Sequence, residues 1–93
     1  MVKTIFTGHT LDLKSILAIG PVMQKTDALL KTLYFEITLK GGSVIWHGFY
    51  FAETGYAFNE KQWNENIDSS KEQRRKLVEE WIAANKGFSF KII

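Results

Sequence analysis

Leu33, Phe35, Ile37 and Leu39 alternate with Tyr34, Glu36, Thr38 and Lys40, and the run ends on Gly41-Gly42. A period of two belongs to a strand with one face on a core, and paired glycines supply the positive φ angles that a two-residue hairpin turn demands. The segments on either side therefore fold back on each other. A two-residue loop sets the cross-strand pairs as Leu39 with Val44, Ile37 with Trp46, Phe35 with Gly48 and Leu33 with Tyr50, all lining the core. The opposite face then carries Thr38 beside Ile45, Glu36 beside His47, and Tyr34 beside Phe49.

The remaining segments build around that hairpin. Val2 to Thr7 is β-branched and aromatic, and Ser15 to Ile19 is an apolar run closed by the breaker pair Gly20-Pro21, so both read as strands. Between them, Leu11-Asp12-Leu13-Lys14-Ser15 combines turn-forming Asp and Ser with inward-looking leucines, which suits a tight corner. Val22 to Thr32 has no sustained period and reads as a loop, with one helical turn starting at Thr26 or Asp27. Tyr56 to Phe58 either resumes as a short strand or leads into Asn59 to Ile67, where Asn59 followed by Gln62 caps a brief helix.

A longer helix is expected over about 70–86. Ser69 with Glu72, or Ser70 with Gln73, forms a capping box, and Gly87 sits where a left-handed C-cap belongs. Leu77, Val78, Trp81 and Ile82 form its apolar stripe, and Glu72/Lys76, Arg75/Glu79 and Lys76/Glu80 are opposite-charge pairs on the wet side. Phe88 to Ile93 alternates again, as a last strand would. The expected fold class is α+β: a small antiparallel sheet of about five strands, one amphipathic helix packed on it, and a C-terminal strand.

A chain of 93 residues has room for one hydrophobic core, so 1–93 reads as a single domain. With 45% apolar residues and three tryptophans it can offset the chain entropy lost on folding. The absence of cysteine excludes disulfides and thiolate chemistry. The longest stretch free of Asp, Glu, Lys and Arg runs from Gly41 to Ala52, too short to span a bilayer, and Met1 to Phe6 leads into no signal-like apolar region. A cytoplasmic setting without membrane contact is expected. A formal charge of +2 does not point to nucleic acid.

Catalysis finds little support. Only His9 and His47 offer imidazole bases, and no serine sits in a nucleophile elbow. None of the seven glycines has the spacing of a phosphate-binding loop, so no nucleotide cofactor is implied. Two distant histidines without cysteine do not make a zinc site. The Glu36/His47 pair is the one arrangement with acid–base potential, and a cross-strand polar pair near solvent is the better account of it, because catalysis also needs a pocket and partners that the sequence does not show. No enzyme, cofactor or metal is expected.

Binding is better represented. Alternation cannot send Trp46, His47, Phe49, Tyr50 and Phe51 all into one core, so part of this aromatic run is either covered by 59–67 or faces a partner. Tyr34, Glu36, His47, Phe49 and Phe51 are the candidate partner-binding residues. On the helix, Lys71, Arg74 and Arg75, with Lys76, form a basic cluster near the N-terminal end, where the dipole prefers acids; these are the candidate anion-binding residues.

The succession Leu11 to Ile19, Ile37 to Ile45 and then a terminal amphipathic helix resembles small uncharacterised phage and bacterial proteins built from one sheet and one helix. The likeness covers about half the chain and lies in patterning alone. It implies a phage or mobile-element accessory protein, a class in which short binders that block or sequester host factors are common. The expected function is thus a non-catalytic module that binds a protein through the outer sheet face. The alternative is a sponge that holds a nucleotide-like small molecule between aromatic rings and the basic cluster. The terminal strand would also offer an edge through which two copies could pair as a homodimer.

Overall fold

Residues 2–4 and 10–85 are described in a computed structural model, which has the order β1 (Val2–Thr4), β2 (Thr10–Asp12), β3 (Ile16–Ile19), β4 (Met23–Asp27), β5 (Leu30–Leu39), β6 (Val44–Glu53) and α1 (Glu60–Ala84). The fold is α+β: β3 to β6 make a four-stranded antiparallel sheet under one long helix, and β1 pairs with β2 apart from it. The expected C-terminal strand, and the Gly87 cap before it, lie outside the described residues. So do residues 5–7 of the first expected strand.

The corner between β2 and β3 is a turn of 3-10 helix, Leu13–Ser15. Asp12 Oδ1 accepts from the Lys14 amide at 3.0 Å, and Ser15 Oγ donates to the Asp12 carbonyl at 2.6 Å. These local bonds satisfy a sharply bent backbone, and they turn Leu11 and Leu13 into the core beside Ile16, Ile19, Phe35, Ile37, Leu77 and Trp81.

Residues 22–32 are not a loop. They contain β4, which pairs with β5 from Met23↔Tyr34 to Asp27↔Leu30 and closes through the two-residue turn Ala28-Leu29. Every residue of β4 is exposed, so no apolar alternation marks the strand. Ala28 sits at φ +50°, a left-handed conformation that costs a non-glycine residue roughly 1 kcal/mol. Ala28→Gly is expected to raise the unfolding free energy by about 0.5–1 kcal/mol in urea denaturation, because relief of this strain outweighs the added chain entropy.

The central hairpin forms, but its loop has three residues. Leu39 N donates to the Ser43 carbonyl at 2.8 Å, and Gly42 N to the Leu39 carbonyl at 3.0 Å, leaving Lys40, Gly41 and Gly42 in the turn. The extra residue slips the pairs next to the turn by one: Thr38↔Val44, Ile37↔Ile45, Glu36↔Trp46 and Phe35↔His47. Further along, the pairing resumes as Leu33↔Tyr50, as a two-residue loop would have set it. Between these stretches Gly48 and Phe49 oppose Tyr34 in a β-bulge, with Gly48 at φ +63°. The bulge cancels the slip.

The helix is one continuous element, not a brief helix followed by a longer one. Its N-cap is Asn59, whose Oδ1 accepts from the Gln62 amide at 2.9 Å, while Ser69 and Ser70 are interior. Tyr56 to Phe58 forms no strand. Trp63, Ile67, Ser70, Arg74, Leu77 and Trp81 recur at spacings of four and three, the pattern of one helix face. Its two polar members meet the sheet's irregularities. Ser70 Oγ donates to the carbonyl of bulged Gly48 at 2.9 Å, and Arg74 Nε donates at 2.7 Å to the carbonyl of Gly20, where the chain breaks between β3 and β4. Carbonyls that a regular ladder would have paired are thus satisfied by the helix.

Candidate functional site

The slip and the bulge decide which aromatic rings leave the core. Trp46, now opposite Glu36, lies on the sheet face away from the helix, together with Tyr34, Phe49 and Phe51. Their rings form a ladder: Tyr34 stacks on Trp46 with centroids 4.2 Å apart and planes 20° apart, Trp46 lies 5.9 Å from Phe49 at 13°, and Phe49 lies 6.0 Å from Phe51 at 44°. Trp46 is 40% exposed and Phe51 65%, while Tyr34 is fully buried.

Of the expected contact residues, Tyr34, Glu36, Phe49 and Phe51 share this face. His47 does not. It turns to the helix side, 8% exposed, edge-on to Phe35 at 5.4 Å and 81°. The Glu36/His47 pair therefore does not form, and with it goes the acid–base arrangement. Trp46, expected in the core, takes the outer position instead. Tyr34 serves as the bed on which Trp46 lies, not as a contact. Lys25 Nζ stands 5.6 Å from the Tyr34 ring centroid, and the nearby phenol holds the Lys25 pKa above the ordinary 10.5, while the buried Tyr34 hydroxyl itself has no hydrogen-bond partner.

The basic cluster is brought together only in part, since Lys71 and Arg74 share one cleft and Arg75 turns to its own ion pairs. Arg74 is half-buried, and its guanidinium is engaged by the carbonyls of Gly20 and Ile19. Arg75 lies between Glu72 and Glu79, with Nε 2.9 Å from Glu72 Oε2. Lys71 is exposed and shares with Arg74, Pro21 and Val22 an open cleft of about 310 Å³. Arg74 and Arg75 belong to the helix layer, on the opposite side of the sheet from the ladder, so rings and guanidinium groups do not converge on one ligand.

The Arg75 contact, chiefly its hydrogen bonds, lowers the Glu72 pKa from the ordinary 4.5. The ion pair thus contributes stability at pH values above 4.5 and loses it as the pH falls through the depressed value. In an NMR titration the Glu72 carboxyl is expected to have its midpoint below 4.5 and to return toward 4.5 in Arg75→Gln. An unchanged midpoint would show that the pair is not populated in solution.

A second concave feature lies where β6 runs into the helix. It is a groove of about 450 Å³ walled by Phe51, Ala52 and Glu53 on one side and by Asn59, Gln62 and Asn66 on the other, with Phe58 and Trp63 between them. Trp63 is fixed there by its Nε1, which donates to Gln24 Oε1 at 3.0 Å. The sequence marks only the Asn59/Gln62 cap here, and the groove itself arises from the packing of the helix start against β6. Among the described residues no group of three or more His, Cys, Asp or Glu could hold a metal ion, and no helix is long and apolar enough to cross a membrane. Comparison with known protein families, with curated proteins and with solved structures finds no match to this chain.

Proposed function

We propose that this chain is a non-catalytic binding module that grips a protein partner through the outer face of its sheet and acts by occupying that partner, as an accessory protein that blocks a host factor would. The observation that carries this reading is the exposure of Trp46 and Phe51 on a ladder of aromatic rings opposite the helix. Together the two leave on the order of 200 Å² of apolar surface open, and large aromatic side chains dominate the energetics of protein interfaces. Tyr34, Trp46 and Phe49 already lie near-parallel to one another and offer an incoming base less free face than a splayed platform would. A flat apolar surface rimmed by Lys25, Glu36 and Glu53 suits a protein better.

The test is affinity capture from a host lysate with the wild-type chain and with Trp46→Ser/Phe51→Ser. A specific partner is expected with the first, and its affinity is expected to fall at least about 30-fold with the second, at roughly 2 kcal/mol for a hot-spot residue. Both positions are exposed, so the variant's cooperative unfolding transition should persist. Equal capture by both chains, or collapse of the variant's fold, would remove the outer face from the reading.

A further inference from the structure

The groove at the end of β6 carries a row of side-chain amides whose free groups have a definite order. Asn59 Oδ1 is taken by the Gln62 amide, and Asn66 Oδ1 accepts from Gln62 Nε2 at 3.1 Å. Among the described residues this leaves the amide hydrogens of Asn59, the Oε1 of Gln62 and the amide hydrogens of Asn66 without partners: donor, acceptor, donor. From the cap Asn59 to Asn66 the row climbs seven residue steps, about 10 Å, which is the length of about three residues of extended chain. An extended main chain presents carbonyl and N–H groups along its edge, so acceptor, donor and acceptor meet that row.

The facing wall supports the same occupant. Phe51, Ala52 and Glu53 belong to a strand paired only with β5 among the described residues, so its other side is a sheet edge of the kind to which extended segments add. The charges at the groove balance: Glu53 is on the wall, and Lys31 Nζ sits 4.9 Å from the Phe58 ring centroid and 5.5 Å from that of Trp63. A charged ligand therefore gains little. A nucleobase would need parallel walls, and Phe58 and Trp63 are tilted by 52°.

We infer that this groove binds an uncharged, extended segment of a protein, with its main chain between the β6 edge and the amide row and an apolar side chain against Phe58. The inference rests on the protein-partner reading above and deepens it, because Phe51 belongs both to the groove wall and to the ladder, making one continuous surface.

The test uses a displayed library of random peptides selected against the immobilised full-length chain, followed by synthesis of the enriched sequences with capped ends. Asn59→Asp/Asn66→Asp removes both donors while keeping the oxygens that cap the helix and accept from Gln62, so the fold is retained. Enriched peptides are expected to share a short uncharged run with one apolar or aromatic residue. Their binding is expected to weaken at least tenfold in the Asp pair and to change less than twofold in Arg75→Gln, whose side chain is held by Glu72 and Glu79 away from the groove, and a photo-reactive residue in place of Ala57, which lines the groove, should crosslink to them. Charged consensus peptides, binding indifferent to the Asp pair, or no enrichment would each overturn the inference, as would displacement of the peptide by an uncharged nucleoside. A lysate partner lost with Trp46→Ser/Phe51→Ser but retained by the Asp pair would leave the outer-face reading standing and remove the groove from it.

Discussion

Gly48→Ala is expected to lower the unfolding free energy by about 3 kcal/mol, roughly 1–2 from forcing a side chain into the left-handed region and the rest from overpacking. A Cβ built at this position would lie 2.7 Å from Ser70 Oγ and 2.8 Å from Phe35 Cε1, and Gly48 has φ +63°. Neither neighbour can retreat easily. Ser70 is fully buried and holds the Gly48 carbonyl, and Phe35 is fully buried in the core between the sheet and the helix. For a domain of this size such a loss lowers Tm by roughly 12–24 °C. Gly41→Ala is the control, because Gly41 has φ +102° but nothing within 4 Å of its added Cβ; it should cost only the backbone strain, roughly 1–2 kcal/mol. Equal losses at the two positions in urea denaturation would mean that the bulge is not packed against the helix.

The same residue explains where the sequence was legible and where it was not. Alternation from Leu33 to Leu39 shows that a strand exists and that a hairpin follows it, and both are present. What alternation cannot show is whether Gly41-Gly42 closes a loop of two residues or three, since both place glycines in the turn. That difference of one residue exchanges the faces of Trp46 and His47 and dissolves the Glu36/His47 pair. A glycine inside a strand is a recognised mark of a bulge, and Gly48 was the available sign that the register changes. The strand β4 left no mark at all, because a wholly exposed strand has no apolar period and its turn lacks glycine. On the helix, Ser69 and Ser70 resembled a start because serine is favoured at N-caps. Here they hold the helix to β6 instead: Ser69 Oγ is 2.8 Å from the Tyr50 hydroxyl, and Ser70 is bonded to Gly48. Arg74 reads as an anion-binding candidate for a related reason, since the broken strand edge it serves is created only by the tertiary fold.

The tryptophans give the second large effect and the most direct test of the register. Trp81 is 1% exposed and is packed in the cluster that contains Leu13, Phe35 and Leu77, so Trp81→Ala is expected to cost about 4 kcal/mol. That is a large share of the total stability of a domain this size, roughly 5–14 kcal/mol, and the variant should be partly unfolded at 37 °C. Trp46→Ala should cost about 1 kcal/mol, because it removes a ring that is 40% exposed and stacked on one side of Tyr34. Had the loop contained two residues, Trp46 would sit opposite Ile37 under the helix, and both substitutions would be of core size. Fluorescence separates the cases without denaturation: Trp63 and Trp81 are 3% and 1% exposed, so Trp46→Phe should abolish most of the emission that acrylamide quenches. Comparable losses of stability in the two alanine variants, or quenching unchanged by Trp46→Phe, would return Trp46 to the core and dismantle the aromatic ladder that carries the proposed reading.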